Sequence, residues 1–500
     1  MRQLFAALIA VMTFAFAAPA QAQGRWLRAE SPGFIVYSTS SERNVRSLVQ
    51  DLEAFDALLR RLTNATAERS PTKLEIYLFN GPGQFQEAFP GVGSSVRGLY
   101  TAGPDLIAAF AIFRDRYGMD AQDILFHEYA HHFMYQHFSN PYPSWYIEGF
   151  AEFVATTEFE SERIVLGRSS VARASWLFGG SWLPMERMIS SAPRDLDGEE
   201  TARFYAQSWL FTHYLFSTPG GMDRFREYVR SLRLGADPQQ AFEDGFGVTP
   251  QQMQATLREY LQDSPDALAL TRPAAVDEAT VAVTRLPPSA NELLPLASRM
   301  RRGYLSEEAG AELLSRIRSI AGFEPNDPFA LLALAQAEAT IGDIGRARVL
   351  AERRLEANAN DTVAHYVMGY TFLRVARDSE GDEALDLYAQ ARRHFTRAYR
   401  ADENNFAALY RYAETFSGLD LSDEEASNVT NVLLLAHQLA PQVDEITFYA
   451  ADVLVSRERY AEAIPLLRML AFDPHGGDGA DRARQRLNAA EEQLSASAAQ

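Results

Sequence analysis

The sequence predicts an α+β domain, with a small sheet and a mostly helical remainder, followed by an α-helical repeat solenoid. Three observations predict this fold class. The chain has 500 residues, more than the roughly 250–300 residues at which a single hydrophobic core stops growing. Strand-like segments occur up to residue 110 and helical patterns follow them, as in α+β domains. In the second half, a helical pattern recurs after 34 residues, which indicates a repeat architecture.

These patterns divide the chain into four predicted segments. They are a signal peptide (1–22), the α+β domain (23–262), a linker (263–300) and the helical repeat domain (301–490). In the first segment, Arg2 precedes an apolar run, and Ala20-Gln21-Ala22 matches a cleavage site after Ala22. The run is shorter than the roughly 20 residues of a membrane span. We therefore expect an exported protein without stable membrane insertion, and a periplasmic one if the source is a Gram-negative bacterium.

The composition argues against several classes of function. The formal net charge is −19, whereas a protein that binds nucleic acid needs a basic surface for the phosphates. The same acidity disfavours attachment to anionic lipid. The chain has no cysteine, which rules out disulfides, thiolate metal ligands and a lipoprotein anchor on an N-terminal cysteine. We expect no nucleic-acid partner.

The α+β domain begins with alternating strand and helix patterns. Residues 33–40 and 73–80 are rich in β-branched and aromatic residues and predict strands. Between them, the segment from Glu42 to Leu62 places apolar residues at helical spacing and predicts a long helix. Residues 96–110 predict two short strands about a turn at Gly103-Pro104. Helical patterns dominate the remainder of the domain.

The second half of the chain begins with a linker and continues as a repeat. Residues 263–300 lack sustained helical periodicity, and we interpret them as a linker that can carry one short strand. A helical segment starts at Asp327, and a similar one starts at Asp361, 34 residues later. The helices that follow them are offset by 44 residues, so ten residues are inserted in the second unit. Residues 405–416 start a third unit, and residues 446–474 form a fourth.

This pattern resembles the tetratricopeptide repeat, in which pairs of helices stack and small residues lie where helices pack. The resemblance covers roughly residues 305–475. It implies a solenoid with a concave surface suited to a protein partner, although the sequence specifies no ligand. An unspecified helical bundle is the alternative interpretation.

The sequence HEYAH at 127–131 has the spacing of a metal site on a helix. Residues four apart project from one helical face, so His127 and His131 can both reach one Zn²⁺ at about 2.0–2.1 Å. Glu128 lies beside them, where its carboxylate can accept a proton from a water molecule. The alternative is an ordinary helix whose two histidines form hydrogen bonds.

A third ligand is expected from the next helix. A catalytic zinc needs three protein ligands and one position for water. A short turn between antiparallel helices returns Glu148 to the face that carries the histidines. Glu152 lies four residues later on the same side, where it can accept the N–H of a liganding histidine.

These residues carry a resemblance to a known family. The chain contains His127-Glu128-x-x-His131 followed by Glu148-Gly-Phe-Ala-Glu152. This pattern resembles the gluzincin metallopeptidases, most closely the peptidase MA-like proteins and more distantly the alanyl-aminopeptidase family. The resemblance implies thermolysin-like active-site helices and one Zn²⁺ held by His127, His131 and Glu148. It implies Glu128 as the catalytic base and Glu152 as the acid that orients the first histidine.

The same resemblance suggests a donor for the oxygen that becomes negative during hydrolysis. In the aminopeptidase relatives, a tyrosine at the start of a later helix has this role, and Tyr205 matches its register. Tyr214 and His213 are the alternatives on this helix. His132 and His137 point away from the ligand face, and we interpret them as surface or core histidines.

The expected function is an exported zinc peptidase that hydrolyses a peptide or protein substrate and binds a partner through its repeats. The sequence lacks the Gly-x-Met-Glu-Asn stretch with which the aminopeptidase relatives hold a free amine, so endopeptidase action is equally open. The alternative is a non-catalytic envelope scaffold that acts through its repeats on a retained peptidase fold. A zinc hydrolase of a non-peptide bond is a third possibility.

Overall fold

The computed structural model describes nine ranges of the chain, 25–93, 96–113, 121–138, 142–169, 171–263, 267–272, 279–303, 305–473 and 476–498. The predicted signal peptide lies outside the described residues. The strands are β1 (Leu27–Glu30), β2 (Phe34–Ser38), β3 (Leu74–Phe79), β4 (Gly98–Gly103), β5 (Leu106–Ile112), β6 (Glu158–Phe159), β7 (Arg163–Leu166), β8 (Leu268–Thr271) and β9 (Ala282–Arg285).

Helices account for most of the described chain. Those of the first half are α1 (Glu42–Thr63), α2 (Pro82–Ala88), α3 (Ala121–His137), α4 (Ser144–Ala155), α5 (Val171–Gly179), α6 (Met185–Ser190), α7 (Gly198–Ser217), α8 (Gly221–Arg233), α9 (Pro238–Phe246) and α10 (Pro250–Gln262). Those of the second half are α11 (Ala290–Arg302), α12 (Glu307–Phe323), α13 (Pro328–Ile341), α14 (Ile344–Ala357), α15 (Thr362–Arg377), α16 (Gly381–Ala401), α17 (Phe406–Glu414), α18 (Asp423–Leu439), α19 (Asp444–Ser456), α20 (Tyr460–Ala471) and α21 (Gly477–Ala498). Within the described ranges, none of these helices combines the length and hydrophobicity that a membrane crossing needs.

A mixed sheet of six strands organises the first half, in the order β4-β5-β3-β2-β1-β9. The pairs β2–β3 and β3–β5 are parallel, whereas β4, β1 and β9 run antiparallel to their neighbours. Parallel neighbours need a crossover connection, and α1 provides it between β2 and β3. A second, small sheet has the order β6-β7-β8. The strands predicted at 33–40, 73–80 and 96–110 are therefore present.

The central strands of the large sheet are buried on both faces, as expected for parallel strands covered by helices. On one face, Leu74, Ile76 and Leu78 of β3 pack in a core with side chains of α1 and α3. On the other face, Tyr77 and Phe79 pack with residues of α2 and α11. The sheet is thus a layer between two sets of helices.

The segment 263–300 differs from the linker that its composition predicts. It contains β8, β9 and most of α11. The strand β8 pairs with β7, and β9 pairs with β1 at the end of the large sheet. Each strand has only four residues, too few for a periodicity to be recognised, and each pairs with a strand that is distant in sequence.

The second half consists of successive helix pairs, which confirms the prediction of a helical repeat. The pairs are α13–α14, α15–α16, α17–α18 and α19–α20, preceded by α11–α12 and followed by α21. Most of the ten inserted residues lengthen the second helix of one pair, because α16 has 21 residues and α14 has 14, a difference of seven.

The repeats and the first half of the chain share one hydrophobic core. The core includes apolar side chains of α17 and α18, namely Phe406, Leu409, Ala436 and Leu439. At the β4–β5 turn, Asp105 forms an ion pair of 2.7 Å with Arg411 and accepts a hydrogen bond from Tyr366. On α3, Tyr135 donates a hydrogen bond of 2.9 Å to Asp473. The two halves are therefore joined by both apolar and polar contacts.

A cavity of about 670 Å³ separates the sheet from the inner helices of the repeats. Its walls include Tyr37 and Tyr77 from the sheet, and Phe329, Tyr366 and Tyr370 from α13 and α15. The inner side of the repeat region thus faces the sheet of its own chain. The concave surface that the resemblance implies is partly occupied by this intramolecular contact.

Candidate metal centre

The helix α3 is held in place by contacts with α1. Phe126 stacks on Phe55 with ring centroids 3.9 Å apart, and the Tyr129 hydroxyl donates a hydrogen bond of 2.6 Å to the buried Asp56. Both α3 residues lie on the face of the helix that covers the sheet. The face with His127 and His131 consequently turns toward α4.

A glycine allows α4 to approach the long helix α7. A β-carbon at position 149 would overlap the carbonyl oxygen of Ser208 and the hydroxyl of Thr212. Only glycine fits this crossing without movement of the backbone. The crossing places the two glutamates of α4, Glu148 and Glu152, between α3 and α7.

The structure brings His127, His131 and Glu148 together. One donor atom from each residue lies within 4.8 Å of the other two. The two Nε2 atoms of the histidines are 3.1 Å apart, and Glu148 Oε2 lies 3.8 Å from His127 Nε2 and 3.5 Å from His131 Nε2. Bonds of about 2.0–2.1 Å in a tetrahedral zinc site separate the donor atoms by about 3.3 Å. Two of the three separations lie within about 0.2 Å of this spacing and the third exceeds it by about 0.5 Å, so the three residues can bind a single zinc ion after small shifts.

The surroundings of these donors favour a cation. The Glu148 side chain is 0 % exposed, and a carboxylate buried to this degree is stabilised by positive charge nearby. Burial lowers the pKa of His127, as does the nearby His131, while the three glutamates Glu128, Glu148 and Glu152 act in the opposite direction. A neutral imidazole is the form that binds a metal.

Glu128 is half-buried on α3 beside the ligand set. Its charge acts on the side chains of His127, Tyr100 and Tyr205. Those three side chains come from α3, β4 and α7, so the carboxylate lies where these elements meet.

Glu152 faces the side of His127 that is turned away from the other donors. Its Oε1 lies 3.5 Å from His127 Nδ1. The same carboxylate forms a two-pronged ion pair with Arg173 of α5, with distances of 2.8 and 2.5 Å. The resemblance implies the role of Glu152, but no motif in the sequence points to Arg173, which lies 21 positions further along the chain.

Of the three candidates on α7, Tyr205 is the one beside the site. Burial raises the pKa of Tyr205 well above its usual value, and the carboxylates of Glu148 and Glu152 raise it further. The Arg173 guanidinium lies over its ring, 5.0 Å from the centroid. The hydroxyl is therefore a neutral hydrogen-bond donor close to the carboxylates of α4.

The other two candidates on α7 lie elsewhere. The buried His213 places Nδ1 2.8 Å from the hydroxyl of Tyr260 and packs against Phe153. Tyr214 is nine positions after Tyr205, which at 3.6 residues per turn is the opposite face of the helix, and its ring contacts Tyr260. The structure does not bring either residue to the ligand set.

The two remaining histidines of α3 have structural contacts. His132 is buried, lies 3.0 Å from the Tyr100 hydroxyl through Nδ1, and has its pKa lowered to about 3 by burial. His137 Nε2 lies 3.1 Å from a guanidinium nitrogen of Arg60. Neither residue adds a ligand to the site.

The outermost strand β4 runs alongside α3. A β-carbon at Gly98 would overlap Ile124 of α3, and Tyr100 contacts His132 of the same helix. The helix α19 of the repeats also packs against β4. The strand β4 therefore lies between the candidate metal centre and the repeats.

No protein-family model matches the chain, and no curated protein matches it. A thermophilic TPR protein from Thermus thermophilus is similar in structure, with 19% identity, 40% of this chain and 96% of that chain covered, and a TM-score of 0.32. MamA from Desulfovibrio magneticus RS-1 is 19% identical over 42% of this chain and 97% of its own, with a TM-score of 0.26. Yeast Tom70 is 13% identical over 70% of each chain, with a TM-score of 0.27.

Proposed function

We propose that this protein is a zinc-dependent hydrolase that cleaves peptide bonds. One observation carries the proposal, namely the three donor atoms of His127, His131 and Glu148 within 4.8 Å of one another. Two histidines and one carboxylate form the ligand set of several catalytic zinc sites, in which a fourth position takes water. A glutamate that follows the first histidine is the residue that such a site uses as a base.

Each residue of the candidate site has a separate role in the proposed reaction. His127, His131 and Glu148 would hold the ion, which supplies Lewis acidity and makes water nucleophilic near neutral pH. Glu128 accepts a proton from the attacking water and then donates it to the departing amine. Tyr205 donates a hydrogen bond to the substrate carbonyl oxygen as that oxygen gains negative charge. The carboxylate of Glu152 orients His127.

Metal analysis tests the ligand set. The purified wild-type protein is expected to bind one zinc ion per chain, and Glu148→Gln is expected to lose it, because an amide is a weaker and uncharged ligand. The exposed Glu162 provides the matched control, since Glu162→Gln should bind zinc like the wild type. Absence of stoichiometric zinc in the wild type under metal-replete conditions would falsify the proposal.

Glu128→Gln separates chemistry from metal binding. We expect this variant to retain zinc and to lose about 100- to 10,000-fold in the rate of peptide hydrolysis, the usual contribution of a general base. The measurement is turnover of a peptide library by the metal-loaded protein, with Glu162→Gln again as control. Equal turnover by Glu128→Gln and wild type contradicts the assigned base.

A parallel panel of substrates tests which bond the protein cleaves. Hydrolysis of esters or cell-wall fragments in place of peptides would identify a hydrolase of another bond.

A second candidate function is that of a non-catalytic scaffold that binds proteins through the repeats. The observation that favours it is the extent of the helical array, which runs from α11 to α21, since arrays of helix pairs form extended binding surfaces. Cells that carry full-length Glu128→Gln discriminate between the two functions. Loss of the cellular role and of specific cleaved termini supports the hydrolase, whereas an unchanged role supports the scaffold.

The leader predicted at residues 1–22 supports export of the protein. We therefore place the proposed activity outside the cytoplasm. Fractionation of cells and sequencing of the mature N-terminus test this, with a mature chain that begins after Ala22 as the expected result.

A further inference from the structure

The helix α5 supplies an arginine that touches two parts of the candidate metal centre. Arg173 Nε and one terminal nitrogen contact the two carboxylate oxygens of Glu152 at 2.8 and 2.5 Å. The side chains are 25 % and 13 % exposed, so this ion pair is shielded from solvent. A guanidinium that binds both oxygens of a carboxylate fixes the plane of that carboxylate as well as its position.

The fixed carboxylate in turn faces a candidate ligand. The oxygen of Glu152 that receives the shorter Arg173 contact, Oε1, is also the oxygen that lies 3.5 Å from His127 Nδ1. A liganding histidine whose second nitrogen donates to a carboxylate is held in the tautomer and ring orientation that metal binding needs. Rotation of Glu152 away from this plane would release the His127 ring.

The same guanidinium lies over the ring of Tyr205. Its central carbon is 5.0 Å from the centroid of the ring, a distance at which the cation and the aromatic face attract each other. Arg173 therefore contacts the carboxylate behind one candidate ligand and the tyrosine proposed to donate to the substrate. A single side chain thus joins the two sides of the candidate site.

We infer that Arg173 is a positioning residue that aligns His127 through Glu152 and holds Tyr205 beside the substrate carbonyl. This inference rests on the proposed function, because it assigns Arg173 a role at the same zinc site. The role depends on the planar two-pronged geometry of arginine. Lysine keeps the charge but has a single nitrogen, so it cannot fix the plane of the carboxylate.

Zinc affinity, measured by competition with a chromophoric chelator, tests whether Arg173 positions His127 through the carboxylate of Glu152. We expect Arg173→Met to weaken zinc binding about 10- to 100-fold, the range found when a partner of a metal-binding histidine is removed. Arg173→Lys should recover part of that loss. The double variant Arg173→Met/Glu152→Ala should bind zinc about as weakly as Glu152→Ala alone, because the arginine acts through the glutamate.

Controls separate positioning from general stability. Arg168→Met removes an arginine of the loop before α5 that pairs with the exposed Glu158, and its zinc affinity should equal that of the wild type. Thermal unfolding of the metal-free proteins shows whether each variant is folded at the temperature of the titration. Methylguanidinium added to the Arg173→Met protein should restore part of the zinc affinity if the guanidinium itself is the missing element.

Steady-state kinetics test the contact with Tyr205. Tyr205→Phe should leave zinc affinity unchanged and lower kcat. Arg173→Met should lower kcat by a smaller factor when it is added to the Tyr205→Phe variant than when it is added to the wild type. Wild-type zinc affinity in a folded Arg173→Met protein overturns the inference and leaves the proposed function standing. Failure of the wild-type protein to bind zinc is the different result that defeats the proposed function.

Discussion

Gly149 determines how the candidate site is assembled, although it carries no side chain. It lies between Glu148 and Phe150 on α4, where the helix crosses α7 at Ser208. The crossing brings the carboxylates of α4 near Tyr205, which is one turn before Ser208 on α7. A single residue of minimal size thus sets the distance between the candidate ligands and the proposed donor to the substrate.

Gly149→Ala is expected to destabilise the protein by about 1–3 kcal/mol, the usual cost of overpacking a core. It should also lower kcat more than zinc affinity, because the extra carbon pushes α7 away while the ligands remain on α3 and α4. Chemical denaturation and metal titration measure the two effects. Gly83→Ala is the control, since a β-carbon at this helical position of α2 meets nothing within 4 Å. Equal stability of the two variants would contradict the assigned packing role.

The sequence predicts the candidate ligands because their spacing is local. Helical spacing brings His127 and His131, one turn apart, to the same face of α3, and Glu148 joins them because α4, the next helix, packs against α3. The prediction of Tyr205 comes from a resemblance and not from spacing. Arg173 has no local signal, since its contact with Glu152 depends on how α5 packs against α4 and α7, and that packing is not encoded in a short pattern.

At the scale of elements, long segments with a clear period are predictable from the sequence and short ones are not. The apolar positions that predict α1 from Val45 to Leu59 are all buried, and β2, β3, β4 and β5 lie where the strand patterns predict them. The strands β1, β8 and β9 have four residues each. Their existence depends on pairing with other strands, so the periodicity of the segment itself does not reveal them.

The helix α19 is expected to make the contact between the repeats and β4 sensitive to pH. It begins at Asp444, whose pKa is raised to about 7 by burial and, to a smaller extent, by the carboxylates of Asp473 and Glu445. Tyr100 of β4 and Tyr135 of α3 also interact with Asp444. The protonated form is favoured in the folded chain, so its stabilising contribution is complete at acidic pH and is lost as pH rises through about 7.

Asp444→Asn is therefore expected to stabilise the protein at pH 8 relative to the wild type and to have little effect at pH 4. The stability difference should grow by at most about 1.4 kcal/mol per pH unit between these values. Urea denaturation at several pH values measures it. Asp423→Asn, at the exposed first residue of α18, is the control for the loss of a carboxylate at the start of a helix. A difference for Asp444→Asn that is the same at every pH contradicts the assignment.

At the scale of the whole molecule, the repeats are part of the fold and not an attached module. Side chains of α17 and α18 lie in the same core as those of α1, α3 and α4. The Asp105–Arg411 ion pair fastens the β4–β5 turn to α17. Because this core spans both halves, neither half can unfold without exposing apolar surface of the other.

Both halves are expected to unfold in one transition. All five tryptophans lie before residue 210, so their fluorescence reports the first half, whereas far-UV circular dichroism also reports the helices of the repeats. The two signals should follow the same denaturant curve in the wild type. Arg411→Met, which leaves Asp105 without its partner in the ion pair, should lower the midpoint by an amount equivalent to about 1–3 kcal/mol. Separate curves in the wild type would show that the halves are independent.

The pairing of β9 with β1 has a consequence for biosynthesis. Arg28 and Thr284 face each other across these strands although 256 positions separate them in the chain. At roughly 5–20 residues per second, the ribosome needs tens of seconds to deliver β9 after β1 has emerged. During that interval β1 is an edge strand whose backbone groups on one side are unpaired. Such an edge can pair incorrectly with other chains.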